Sequence, residues 1–268
     1  MEFAVSCKII ILLVTVFALL QDGHTRIWHG KHFQEDDDES RNPANQVFFH
    51  TGDMSVGKRV EVFFAEKDSS TTPRFLPKDE AASIPFSSSK LPQLLDLLLL
   101  PPDSPQAAAM EETLRMCETE PINGETKLCA TSLESMMDFA MFFFGGKTRI
   151  SALTNVYLVK PIKPLQNYTI MEEPKKMDSG RIVGCHSMPY PYAVFYCHGQ
   201  EGDHVRAFQI LLAGDGGEKL LAAAICHMST AGWDPRHVSF RMLDIAPGSA
   251  PVCHFLQQDS IIWLQASD

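Results

Sequence analysis

Polar and apolar positions divide the chain into stretches of different rhythm. Ile9 to Leu20 is an apolar run of 12 residues, preceded by a leader ending in Lys8 and followed at once by Gln21-Asp22-Gly23-His24. That run is too short to span a bilayer comfortably, and its flanks predict a secretory signal peptide over residues 1–23. Residues 24–46 turn polar, with GlnGluAspAspAspGluSer at 34–40 and the breaker Asn42-Pro43, and read as a short variable, disordered segment. Folded sequence is expected from Val47-Phe48-Phe49 onward, with residues 47–268 as one domain.

Within that part the period changes once. Val60 to Phe64 has strand composition, and Pro73, Pro77 and Pro85 punctuate a long loop. Leu91 to Leu100 is apolar nearly all round and predicts a buried helix. Ser104-Pro105 opens a second helix, running to about Cys117, because Ser caps and Pro fits the first turn. Thr131-Ser132 opens a third, whose Met136, Met137, Phe139, Met141 and Phe142 read as core packing, and Gly145-Gly146 stops it. From Ile150 on, short β-rich runs alternate with Gly, Pro and Asp: 156–159, 193–196, 205–212, 220–225, 237–242 and 261–264. No βαβ alternation appears, so the expected class is α+β, a helical section followed by an antiparallel, β-rich C-terminal part.

Composition narrows the function. The 268 residues carry a formal net charge of −10, which disfavours nucleic acid, whose phosphates demand a basic face. Neither Gly-x-Ser-x-Gly nor His-Glu-x-x-His occurs, which removes the common hydrolase arrangements. Of seven cysteines, Cys7 lies in the leader, leaving Cys117, Cys129, Cys185, Cys197, Cys226 and Cys253. An even set in a secreted chain predicts disulfides, although six cysteines allow 15 pairings. Asn167-Tyr168-Thr169 makes Asn167 a candidate glycosylation site.

The chemistry lies in a recurring dipeptide. Cys-His stands at 185–186, 197–198, 226–227 and 253–254, with 10, 27 and 25 residues between successive pairs and eight more before Trp263. Neighbours on a strand point to opposite faces, so the Cys and His of one pair do not chelate one ion together. The expected division sends each Cys inward to a disulfide and each His outward to another task. Four pairs would give two disulfides, with Cys117 and Cys129, which flank Asn123-Gly124, able to form the third. Oxidised cysteines do not ligate metal, and the histidines left over suit copper or zinc. A zinc finger is excluded, since no Cys-x2-Cys pair occurs. The plainer account is that each His satisfies a backbone group.

The pattern Cys-His-x10-Cys-His-x27-Cys-His-x25-Cys-His-x8-Trp resembles that of the plant BURP domain. Supporting stretches include Ile84-Pro85-Phe86-Ser87, GlyGluThrLysLeuCysAlaThrSerLeuGlu at 124–134, TyrProTyrAlaValPheTyrCysHis at 190–198 and ProGlySerAlaProValCysHisPhe at 247–255, over about residues 47–265. GlnAsnTyrThrIle at 166–170 is most similar to the subgroup known from seed coats and embryogenic microspores. The resemblance implies a signal peptide, a variable segment and a C-terminal BURP domain, with His186, His198, His227 and His254 as copper ligands. It implies either a developmental or stress-related protein of the cell wall, apoplast or storage vacuole, or a copper-dependent peptide cyclase. The corresponding partners are wall components or a peptide substrate. Fused cyclases crosslink an aromatic residue in a core carried by the same chain. Thr25 to His32 resembles such a core around Trp28, with departures at Thr25 and Lys31, and makes Trp28 the candidate crosslink substrate. Trp263 would then either cover the metal site or serve the core, the commoner role for a strand Trp.

Overall fold

A computed structural model describes residues 42–64, 72–146, 149–200 and 202–266 of the chain. The expected signal peptide and Trp28 lie outside these residues. Strands β1 (Phe48–Phe49) and β2 (Arg59–Phe63) come first, followed by helices α1 (Lys78–Ser83), α2 (Leu91–Leu97) and α3 (Pro105–Glu118). Next are β3 (Glu125–Ala130), α4 (Leu133–Phe143), β4 (Ile150–Leu153), β5 (Val156–Val159), β6 (Leu165–Ile170) and β7 (Lys175–Lys176). Strands β8 (Ile182–Met188), β9 (Val194–Gln200), β10 (Val205–Gly214) and β11 (Lys219–His227) follow. Helix α5 (Val238–Leu243), β12 (Val252–Phe255) and β13 (Ile261–Gln265) complete the α+β fold.

The helix starts follow from their caps. Ser104 Oγ accepts from Ala107 N–H ahead of α3, and Ser132 Oγ accepts from Ser135 N–H ahead of α4, each satisfying a backbone donor that the first turn leaves free. Four expectations need correction. Order begins before Val47: Pro43–Asn45 form a short 3-10 turn, and the Gln46 carbonyl accepts from Phe63 N–H at 2.7 Å. The proline-punctuated loop contains α1, entered through Pro77, whose φ of −55° already suits a helix entrance. The apolar run from Leu91 is helical only to Leu97, because Leu99 takes a φ of 54°, and Leu99 is 88% exposed. Residues 237–242 are a helix rather than a strand. His237 accepts from Ser239 N–H as its cap, and Phe240 and Leu243, three apart on one face, go into the core.

The strands form two antiparallel sheets. Sheet A runs β1-β12-β11-β10-β6-β2, with β5 against β11 and β7 against β10, and sheet B runs β3-β9-β8-β13-β4. Where the neighbour of β11 changes from β5 to β12, the Asn155 side chain bridges the gap: its Oδ1 accepts from Ala223 N–H and its Nδ2 donates to the Leu256 carbonyl, both at 2.8 Å. Between the sheets lies an apolar layer of Ala207, Ala223, Ile225 and Leu256 from A against Ile182, Ile262 and Leu264 from B. The opposite face of sheet B is covered by Met136, Phe139, Ala140 and Phe143 of α4. The opposite face of sheet A gathers Val62, Phe64, Tyr168, Ile210, Leu212 and Phe255 into a separate core. Both faces of the central strands are therefore covered, which explains why β11 reads as the continuous run LeuLeuAlaAlaAlaIleCysHis.

Candidate functional site

The pairing register decides what the four dipeptides do. Cys185 stands directly opposite Cys197 on β8 and β9, and Cys226 directly opposite Cys253 on β11 and β12. Both pairs are disulfide-bonded with Cα atoms 4.0 Å apart, the close spacing of facing strand residues. The third disulfide joins Cys117 on α3 to Cys129 on β3. Alternation then turns every following His to the opposite face. The expected split of Cys and His holds, but "outward" needs correction, because that face is the layer between the sheets, where His227 is only 5% exposed.

Sheet B contributes His186 and His198 and sheet A His227 and His254, and their rings close a four-membered circuit. Ring centroids are 5.4 Å apart for His186–His198, 5.8 Å for His198–His227, 5.6 Å for His227–His254 and 5.5 Å for His254–His186. Residues up to 68 positions apart in sequence meet here because the two disulfide-linked strand pairs face each other. Burial pushes His186 and His227 well below the ordinary imidazole value, and neighbouring imidazoles push the same way. Burial also lowers His254, to about 4, against the opposing pull of the Phe255 carbonyl. At neutral pH these three rings are neutral and carry lone pairs. Such a meeting of four strands, each carrying Cys-His, is not a generic feature of an α+β fold.

A BURP domain family profile matches residues 47–265. The chain belongs to the BURP domain family. It is 40% identical over 233 residues to the BURP domain-containing protein BNM2A of Brassica napus, covering 85% of this chain and 82% of that one. It is 40% identical to the BURP domain protein USPL1 of Arabidopsis thaliana, covering 85% and 83% of the two chains. With the BURP domain-containing protein 3 of Oryza sativa subsp. japonica, 42% identity covers 84% of this chain and 52% of that one.

In this BURP domain the His circuit forms the floor of a cleft of about 540 Å³. Phe48, Tyr196 and Trp233 supply aromatic wall, Gln200 and Gln257 supply amides, and Glu125 and Lys127 supply charge. Trp233 sits edge-on to His227, with centroids 4.9 Å apart, and lies against His237 at 4.9 Å on its other side. Two hydrogen bonds orient the circuit from outside. His198 Nδ1 lies 2.8 Å from Glu125 Oε1, and His254 Nδ1 donates to the Phe255 carbonyl at 3.3 Å. Burial opposes ionisation of Glu125, yet His198, the Ile122 N–H and Lys127 together hold its carboxyl below the usual range.

The donor set can be tested against a metal ion. His186 Nε2 and His198 Nε2 are 3.3 Å apart, and two imidazoles on one tetrahedral ion at about 2.0 Å have their nitrogens about 3.3 Å apart. Among the described residues, however, no three His, Cys, Asp or Glu groups converge as a complete ligand set. Within the circuit, the His186–His198 pair stands at ligand spacing. Its chemistry, four imidazoles and no free thiol, fits copper or zinc.

Other sequence-selected residues fall elsewhere. Trp263 packs with Cys185 and Cys197 on the α4 side of sheet B, away from the cleft. Tyr190 and Tyr192 are buried together beneath α2 and α3, as structural residues, whereas Tyr196 faces the cleft. Asn167 is exposed on β6. Glu125, Trp233 and Gly184 escaped sequence reasoning, and His237, near the pairs in sequence, offers no spacing argument for a role. For Glu125 a signal existed: Glu125, Lys127 and Cys129 alternate onto one face of a strand whose Cys was already singled out. His237 differs from the four, since its Nδ1 accepts from Ser239 N–H as a helix cap.

Proposed function

We propose that this BURP domain is a secreted plant protein whose His186, His198, His227 and His254 hold copper. It would serve seed or reproductive development or stress at the cell wall, apoplast or storage vacuole, with wall components as partners. The observation that carries the reading is the closed circuit of neighbouring imidazoles, three of them kept neutral by burial. Neutral imidazole is the form that ligates. Three disulfides support an oxidising compartment, and the exposed Asn167 supports glycosylation there. No helix among the described residues is long and apolar enough to cross a membrane. Copper titration of the purified protein, followed by electron paramagnetic resonance, tests the site. One tightly bound ion per chain with nitrogen hyperfine structure is expected, and His198→Ala combined with His227→Ala should abolish it. Wild-type protein that takes up no copper would overturn the reading.

A second reading, a copper-dependent peptide cyclase, draws support from the cleft. It opens onto the circuit, encloses about 540 Å³, and has an aromatic wall. Asn45, Val47 and Phe48 line it, and Trp28 precedes Asn45 by 17 positions in sequence. Copper would supply one-electron oxidation in the presence of dioxygen. The chain's own residues would do the rest: Phe48 and Trp233 would exclude water, and Gln200 and Gln257 would orient peptide groups. Mass spectrometry separates the readings. A cyclase acting on its own segment removes two hydrogens from the peptide spanning 24–33, and His227→Ala abolishes that loss. Unchanged mass despite bound copper leaves the binding protein, or a cyclase acting on a separate precursor.

A further inference from the structure

We infer that Glu125 is a positioning residue that fixes His198 as the Nδ1–H tautomer and turns its Nε2 lone pair toward the other three histidines. The geometry is local and complete. Glu125 Oε1 sits 2.8 Å from His198 Nδ1, while its Oε2 accepts from Ile122 N–H at 3.0 Å. Glu125 N–H in turn donates to the Ile122 carbonyl at 3.0 Å, across a turn in which Gly124 takes a φ of +79°. The carboxylate is thus tied at both ends of its own turn, and that turn lies inside the loop closed by the Cys117–Cys129 disulfide. The Glu125 side chain is 8% exposed and the His198 side chain 19%, so water offers neither group a good alternative. A carboxylate only accepts, so His198 Nδ1 must carry the proton.

A second consequence follows for His186. With its Nδ1 proton on Glu125, His198 presents Nε2 as an acceptor, and His186 Nε2 lies 3.3 Å away. In the Nδ1–H tautomer of His198, the partner that donates across this contact is His186 Nε2. The chain Glu125–His198–His186 is a relay in which each partner dictates the tautomer of the next. Its value depends on the metal-site reading, because a ligating His that gives its other N–H to a carboxylate is oriented and made more basic. Glu125 also brings an anionic charge into hydrogen-bonding contact with His198, which would offset part of a cation's charge.

The test does not need the metal. Long-range proton–nitrogen correlation spectra of metal-free, ¹⁵N-histidine-labelled protein report each tautomer directly. Wild type should show His198 as Nδ1–H and His186 as Nε2–H. Glu125→Ala should return His198 to the Nε2–H form, whereas Glu125→Gln, whose amide oxygen still accepts, should retain Nδ1–H. An Nε2–H His198 in wild type, or one unmoved by Glu125→Ala in a variant that keeps the remaining spectrum, would overturn the inference. Zinc and copper(II) affinity should then fall about 10- to 100-fold in Glu125→Ala. Unchanged affinity would refute the positioning role even if the tautomer changes. Wild type that binds neither ion would sink the metal-site reading while leaving the tautomer assignment to its own result.

Discussion

Two strand pairs face each other across the cleft, β8 with β9 and β11 with β12. In each, a disulfide joins directly opposed cysteines, and the next residue is a histidine turned toward the other sheet. Their surroundings differ. The β8–β9 pair is short, with its cysteines 12 positions apart in sequence, and an acid from a third strand, Glu125, orients its His198. The cysteines of the β11–β12 pair are 27 positions apart, and the connection between them carries Trp233, His237 and α5. There His254 is held by its own neighbouring backbone, and His227 by an aromatic edge. The difference teaches that the dipeptide supplies placement, through the register of facing cysteines, whereas orientation is solved separately on each side with whatever lies nearby.

The most severe test of this parallel removes the disulfides one at a time. Loop-closure entropy predicts a loss of about 3.5 kcal/mol for Cys226→Ala with Cys253→Ala and about 3 kcal/mol for Cys185→Ala with Cys197→Ala. Denaturant unfolding of the two double variants measures both. A loss well below 1 kcal/mol in either would show that register, not the crosslink, holds that pair.

Acid offers the next largest effect. His254 has a folded value of about 4 against an ordinary 6.5. The unfolded chain therefore binds its proton first as pH falls, and protonation favours unfolding. The stabilising contribution is complete above 6.5, declines between 6.5 and 4, and is lost below, about 3 kcal/mol for His254 alone. His186 and His227 act in the same direction. Asp234, held at about 2, titrates below this window. Unfolding midpoints of metal-free protein at pH 7, 5.5 and 4 should fall steadily, and His254→Asn should flatten the curve. A flat wild-type profile would mean that the circuit is hydrated and the two halves are not packed together.

Trp233 sharpens the asymmetry. Trp233→Ala removes ring contacts to His227, His237 and Phe240, and at a half-buried position should cost about 2 kcal/mol. Trp233→Phe should keep most of that packing. If the circuit holds copper as proposed, copper added to wild type should quench Trp233, which touches His227, far more than Trp263 on the other side of sheet B. Trp233→Phe should therefore lose most of the quench. Equal quenching in both proteins would place the ion away from His227.

Sequence revealed the site better than its supports. The Cys-His repeats exposed all four circuit residues, because alternation on a strand is a strict period and the dipeptide marks both faces at once. Helix caps at Ser104 and Ser132 were equally legible, being local hydrogen bonds. The 237–242 stretch misled because Val238, Phe240 and Met242 alternate like a strand, while the deciding feature is a single cap from His237 to Ser239. Glu125 lies 73 residues from His198 and meets it only through the β3–β9 register. Nothing local in sequence fixes that pairing.

The smallest effect addresses how the two halves lock together. Gly184 precedes Cys185-His186, and Ile225 holds the equivalent place before Cys226-His227. They face each other: a Cβ on Gly184 would lie 3.1 Å from Ile225 Cδ1, 3.5 Å from His186 Nε2 and 3.8 Å from His198 Nε2. The glycine in one half is thus the socket for the isoleucine in the other, and it keeps the space beside two imidazole nitrogens open. Its φ is not in the left-handed region, so Gly184→Ala meets only this crowding. Since Ile225 Cδ1 is the end of a side chain and can shift, the cost should be about 1 kcal/mol. Ile225→Val, which removes that methyl, should cost about 1 kcal/mol alone. If the socket is real, the double variant costs less than the sum, with a coupling of at least about 0.5 kcal/mol in a double-mutant cycle. Strict additivity would mean that the sheets meet at this level without interlocking, and that the circuit is positioned by its disulfides alone.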